Sequence, residues 1–181
     1  MIVIICQDAN TDTGWGTYTN QYSKIINSFE KTIIICHKKN RNLNIKQYDI
    51  LHTGLEYQHN PIKIITDAFK VKKILNIIDS KPTLHVITEP HALLIPFLKK
   101  SFSKILLTFH GSFFSKITIQ GNFVSKFLFK KAIKLSNKVV FVSNYTKKKI
   151  NTKLQRINKI KTSVISNGID FIKRKPKKKK K

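Results

Sequence analysis

Short apolar runs alternate with helical stripes along this chain. Ile2–Cys6, Ile33–Cys36, Asp49–His52, Leu84–Thr88, Ile105–Phe109, Val139–Val142 and Val164–Ser166 each read as a strand, apolar in its body and closed by a polar, turn-forming cluster. Between them, apolar residues recur at steps of three and four. Tyr18, Tyr22, Ile25, Ile26 and Phe29 fall on one helical face; Ile64, Ala68, Val71, Leu75 and Ile78 make a second, which Lys81-Pro82 ends. Leu93, Leu94, Phe97 and Leu98 mark a third helix, and Val124, Phe127, Leu128, Ala132 and Leu135 a fourth. Ile150, Leu154 and Ile157 mark the last, with Ser143 as its N-cap. Strands spaced by helices predict an α/β domain: a Rossmann-like parallel sheet of about seven strands, helices on both faces, joined by right-handed crossovers. In such a sheet ligands sit beyond the carboxyl ends of the strands.

The loops at those ends carry the candidate chemistry. After the first strand comes Asp8-Ala-Asn-Thr-Asp-Thr-Gly-Trp-Gly-Thr-Tyr-Thr19. Gly14 and Gly16 before a helix let the backbone approach a ligand, and a helix N-terminus offers free N–H groups to a phosphate. The same glycines would also suit a tight turn with no ligand; Trp15 between them favours a binding loop, because an exposed Trp is costly unless it contacts something. A dinucleotide fingerprint would want a small third residue at Thr19 and an acid where His37-Lys38-Lys39 stands, so NAD is disfavoured. No Gly-Lys-Ser/Thr follows, which excludes a P-loop.

His110-Gly111-Ser112 closes the most apolar strand. An imidazole there can bond a substrate oxygen or relay a proton near neutral pH, or be held by a backbone carbonyl as a structural group. Ser143 lacks a Gly-x-Ser-x-Gly elbow, which leaves helix capping as its expected role. Glu89-Pro90-His91 ends another strand at the same level, where Glu89 and His91 would suit a polar pocket. Ligand spacing for a metal is missing.

Charge changes the picture less than its size suggests. Against 9 acidic residues stand 35 Lys and Arg, a formal net charge of +26, and +18 remains when the eight basic residues of 173–181 are set aside. Such a field attracts phosphates, anionic lipid or nucleic acid non-specifically. The abundance of Lys, Ile, Asn and Phe also fits A/T-rich coding. The tail at 173–181 is expected to be disordered, since its charges repel and it has nothing to bury. Cys6 and Cys36 both close apolar runs, which predicts two buried thiols in a reducing cytoplasm rather than a disulfide. No apolar stretch approaches a membrane span, so a cytoplasmic protein is expected, at most touching the inner face of an anionic membrane.

Five segments in register carry a resemblance: Gly14-Trp15-Gly16-Thr17-Tyr18, Glu89-Pro90-His91, Thr108-Phe109-His110-Gly111, Val139-Val140-Phe141-Val142-Ser143 and Val164-Ile165-Ser166-Asn167-Gly168-Ile169-Asp170. Together they resemble the N-terminal half of the retaining family 4 glycosyltransferases, which have the GT-B fold of two Rossmann-like domains. The resemblance covers about residues 1–171 and implies a domain at 1–172 that binds the acceptor and lends groups to a nucleotide-sugar donor. It implies that Gly14, Trp15, Gly16, Thr17, Asn167 and Gly168 approach the donor diphosphate and that His110 sits by the transferred sugar. Glu89, His91, Gly111 and Ser143 would line the acceptor side. No metal or other cofactor is implied, because backbone amides and basic side chains can stabilise the leaving nucleotide.

Family members continue after Asn-Gly-Ile-Asp into a second domain that holds the donor. Here Asp170-Phe-Ile172 runs into the Lys/Arg tail, so the chain is expected to be inactive alone, with a separate C-terminal domain as a candidate partner. The acceptor would be a saccharide or a lipid-linked group. The competing reading is a non-catalytic basic α/β module that binds nucleic acid or anionic membrane, although no nucleic-acid-binding motif supports specific recognition.

Overall fold

The Ile-rich runs pair as neighbours in one sheet. A computed structural model describes residues 1–78, 80–111, 121–153 and 161–166. Its strands are β1 (Ile2–Asp8), β2 (Thr32–Lys38), β3 (Lys46–Asp49), β4 (Thr83–Val86), β5 (Lys104–Phe109), β6 (Lys138–Phe141) and β7 (Lys161–Val164). All six pairings are parallel, in the order β3-β2-β1-β4-β5-β6-β7. The chain starts at the centre, winds out to β3, crosses back and winds out to β7. The helices are α1 (Gly14–Asn27), α2 (Pro61–Leu75), α3 (Ile95–Leu98), α4 (Phe123–Leu135) and α5 (Asn144–Lys153), with 3-10 turns at Gly54–Gln58, Glu89–Leu94 and Lys99–Ser101.

Right-handed crossovers fix which face each helix covers. The step from β1 to β2 runs one way and puts α1 on one face. The steps from β3 onward run the other way and put the remaining helices opposite. The cores agree. Val3, Ile5, Ile35, Leu107 and Phe141 pack with Ile64 and Val71 of α2, Phe129 and Ile133 of α4, and Ile150 of α5. On the other face Ile4, Cys6, Ile34, Cys36 and Ile87 pack with Tyr18 and Tyr22 of α1. Cys6 and Cys36 are register partners on adjacent strands, both fully buried and both free thiols. Burial first, and then the neighbouring Cys36, hold the Cys6 thiol well above its ordinary range.

Four sequence expectations shift. The third strand is Lys46–Asp49, not Asp49–His52, because the buried Leu51 belongs to the turn that leaves the sheet edge. The last strand is Lys161–Val164, anchored by Val164 opposite Phe141; Ile165, which drew the reading, is exposed. The segment around Leu93–Leu98 is a 3-10 turn followed by a four-residue helix, with Pro90 and Pro96 near the starts of both pieces. α1 buries a small polar face, Gly16, Thr19, Asn20 and Ser23, while Ile25 and Phe29 face solvent. The apolar packing of α1 comes instead from Tyr18 and Tyr22, and its start closes on the preceding loop, where a Cβ on Gly16 would lie 1.5 Å from the Asn10 carbonyl oxygen.

Candidate functional site

Each parallel strand delivers its last residues to the same edge of the sheet, and a cleft of about 600 Å³ opens there. Gln7, Asp8, Thr13, Gly14, Trp15, Thr53, Leu55 and His110 line it. The wall is built from β1 outward. Asp8 ends β1 nearly buried, and its carboxylate accepts from the Asn10 N–H at 2.7 Å and the Thr13 hydroxyl at 3.4 Å. Thr13 in turn caps α1, accepting from the Gly16 N–H at 2.9 Å. The helix therefore begins at the cleft with Gly14 and Trp15, its positive dipole end facing the open space. A Cβ on Gly14 would meet nothing within 4 Å. The two glycines thus do different work: Gly14 faces the cleft, and Gly16 lets the turn close on Asn10.

Gln7 ties the first wall to the second. Its amide donates to the Thr53 hydroxyl at 3.2 Å and accepts from the Gly54 N–H at 2.8 Å. The segment behind Thr53 is fixed by Asp67, a fully buried carboxylate on α2. Asp67 accepts from the His52 N–H at 2.6 Å, His52 Nδ1–H at 2.9 Å and the Tyr57 hydroxyl at 2.5 Å. Four donors, with Lys70 Nζ at 3.4 Å, keep that charge satisfied in the interior.

His110 stands on the far side, directly after β5. The Ile87 backbone carbonyl accepts from its ring, and burial outweighs that bond, so its pKa is pushed down to about 4. Nε2 is buried with no partner among the described residues. Nδ1 is then the donor to Ile87, and Nε2 presents a lone pair. At neutral pH the His110 ring is therefore neutral, its Nε2 enclosed by the protein. Tyr18 holds the ring edge-on at 4.9 Å. Tyr22 stacks on Tyr18 and bonds His85 Nδ1 at 2.7 Å, while His85 Nε2 bonds Thr108 at 2.8 Å.

The other predicted site residues separate. Glu89 is fully buried and its carboxylate accepts from the Gly111 N–H, so it shapes the β5 loop from behind. Gly111 has φ +100°, and a Cβ there would lie 2.9 Å from the Thr146 hydroxyl. Ser143 caps α5, accepting from the Thr146 N–H at 3.1 Å. His91 lies in the interior: Nδ1 accepts from Thr88 at 2.9 Å, Nε2–H points to the His52 carbonyl at 3.4 Å, and burial pushes its pKa down to about 4. The Thr17 hydroxyl donates to the Thr11 carbonyl at 3.1 Å. Glu89, His91, Gly111, Ser143 and Thr17 hold the loops and do not line the cleft, because each spends its polar groups on the backbone or side chains around it. Asn167, Gly168 and the tail at 173–181 lie outside the described residues.

Sequence reasoning missed Gln7, Asp8, Thr13, Thr53 and Leu55. Thr13 had a signal, a Thr directly before a helical stripe, and Gln7 and Asp8 had their position at the end of the first strand. Thr53 and Leu55 had none, since they reach the cleft only through the Gln7 and Asp67 contacts. Among the described residues no group of three or more His, Cys, Asp and Glu side chains converges on a metal position, and no helix is long and apolar enough to cross a membrane.

A family model described as Glycosyltransferase Family 4 matches residues 31–172. The chain belongs to glycosyltransferase family 4. This family 4 chain is also similar in fold to a solved structure, a glycosyltransferase from Rickettsia africae ESF-5, with a TM-score of 0.62 and 19% identity. The match covers 93% of the chain and 43% of that structure, so the chain spans less than half the length of the enzyme it matches. No curated protein matches it.

Proposed function

We propose that this family 4 chain forms the acceptor-side wall of an enzyme that transfers a sugar, with retention, from a nucleotide-sugar donor to a saccharide or lipid-linked acceptor. The observation that carries the reading is the pairing, across one cleft, of the open helix terminus at Gly14-Trp15 with the neutral imidazole of His110. The donor diphosphate would lie against the α1 terminus, where main-chain N–H groups and the helix dipole favour negative charge without a metal. His110 would sit by the transferred sugar, Tyr18 keeping the imidazole in place. Leu55 and Trp15 supply apolar surface for a sugar face. A second domain, on this or another chain, would form the facing wall, shut out water and bring most of the donor contacts.

Trp15 is the single tryptophan of the chain, so its fluorescence reports on cleft occupancy. Titration with UDP-, GDP- and ADP-sugars and with free pyrophosphate should give a saturable change for at least one nucleotide sugar. Gly14→Val, which projects a side chain into the open space, should weaken that response about tenfold, the scale of one lost charge-assisted contact. If no nucleotide sugar moves the emission, or if Gly14→Val leaves the affinity unchanged, the donor does not lie at α1 and the reading fails.

A further inference from the structure

The outward faces of α2 and α4 point the same way, since both helices bury their inner faces on the same side of the sheet. Neither outer face is what a solvated helix presents. α2 exposes Ile62, Ile65 and Phe69, at 67%, 43% and 61%, at the i, i+3, i+7 spacing of one stripe. α4 exposes Phe123, Val124 and Phe127, at 83%, 44% and 54%. Lysines accompany these apolar residues: Lys63, Lys70, Lys72 and Lys73 on α2, and Lys126, Lys130, Lys131 and Lys134 on α4. Neither helix exposes an acid: α2 holds one, the buried Asp67, and α4 holds none. The long lysine stems lie along the rings, Lys72 Nζ 5.6 Å from the Phe69 centroid and Lys131 Nζ 5.9 Å from that of Phe127.

We infer that this face is a docking surface for an anionic lipid bilayer. Large apolar side chains accompanied by lysines, with the nearby Glu56 carboxylate held by Lys63, suit the boundary between acyl chains and negative head groups: the rings enter, and the ammonium groups snorkel to the phosphates. Charge complementarity selects this occupant over a protein, because the buried core of a protein–protein interface is depleted in Lys. Ile62, Phe123 and Val124 sit in the first turns of α2 and α4, and Ile65, Phe69 and Phe127 continue the stripes into the following turns. Both helices run antiparallel to the strands, so the first turns lie at the sheet edge where the cleft opens. The ordering Gln7–Thr53–Leu55 and Ser125 Oγ to the Tyr57 carbonyl at 3.3 Å links the two turns to the cleft wall. The surface goes beyond the sugar-transfer reading and stands without it.

The test uses the full chain and vesicles of phosphatidylcholine with and without phosphatidylglycerol. Co-flotation should require the anionic lipid, and Phe123→Ser/Phe127→Ser should lower the partition coefficient about tenfold or more, with the thermal melt unchanged because both rings are exposed. Ile62→Ser/Phe69→Ser provides the same test on α2 should the first pair disturb folding. A Trp15→Phe/Phe127→Trp chain should be quenched by lipid brominated in the upper acyl chain. Unchanged flotation in both double variants together with absent quenching would overturn the proposal and leave adsorption by the polybasic 173–181 segment alone. A dimer in sedimentation that the same substitutions dissociate would also overturn it, assigning the face to a second copy of the chain.

Discussion

At the scale of single residues the site turns on hydrogen-bond direction. His110 keeps its proton on Nδ1 because the Ile87 carbonyl takes it, and burial holds the ring neutral. In nitrogen-resolved NMR, His110 should show the Nδ1–H tautomer at neutral pH and titrate near 4; the Nε2–H tautomer, or a midpoint near 6.5, would contradict the assignment. Gly14 and Gly16 look alike in the sequence and separate in space. Gly16→Ala should lower stability by more than about 1 kcal/mol, since the Asn10 carbonyl has to move, whereas Gly14→Ala should leave the melting temperature nearly unchanged. Thermal unfolding of the two variants side by side checks this. The candidate His and the glycine loop were legible because strand-end position and residue type sufficed. Which glycine faces the cleft was not, because that depends on the Asn10 carbonyl, six residues before Gly16 in an irregular loop.

At the scale of elements, one buried carboxylate organises the join between β3 and α2. Asp67 gathers the His52 backbone, the His52 ring and the Tyr57 hydroxyl, and that cluster positions Thr53 and Leu55 on the cleft. Asp67→Ala leaves those donors buried and should cost about 2–4 kcal/mol, read as a lower denaturant midpoint. Loss of only a few tenths would show the join is held elsewhere. The apolar stripes at Ile64–Ile78 and Val124–Leu135 located α2 and α4, although α2 ends at Leu75 and Val124 and Phe127 lie on the outer face of α4. Edge strands defeated the same logic. Lys46–Asp49 and Lys161–Val164 are polar four-residue segments defined by pairing with β2 and β6, while the apolar residues beside them, Ile50-Leu51 and Ile165, mark turns. α1 defeated it differently: its buried residues are small and polar, and Tyr18 and Tyr22, not Ile25 and Phe29, supply its apolar packing.

At the scale of the molecule, two imidazoles are nearly or fully buried in the fold, and both carry pKa values near 4. An unfolded chain binds protons at these sites below about 6.5, and the folded one does not until about 4. Stability is therefore complete above about 6.5 and falls as the pH drops through that window, by up to about 1.4 kcal/mol per pH unit for each site. The melting temperature should fall on acidification from about pH 7 to pH 5, and His91→Gln should flatten that slope while lowering the value at neutral pH. A flat profile in the parent chain would mean the imidazoles are already hydrated. The parallel sheet and its right-handed crossovers were legible from alternation alone. The assignment of four helices to one face and one to the other was not, because it follows from the strand order.

The paired sulfurs of β1 and β2 also make a clock. No alkylating reagent can touch either thiol while the two strands remain zipped, and both have neighbours on each side. Modification by iodoacetamide should therefore proceed at the rate of global opening, rising with denaturant in step with loss of secondary structure. Both sulfurs should be captured in the same event. Fast labelling of one alone, in native buffer, would reveal a central sheet that breathes without unfolding.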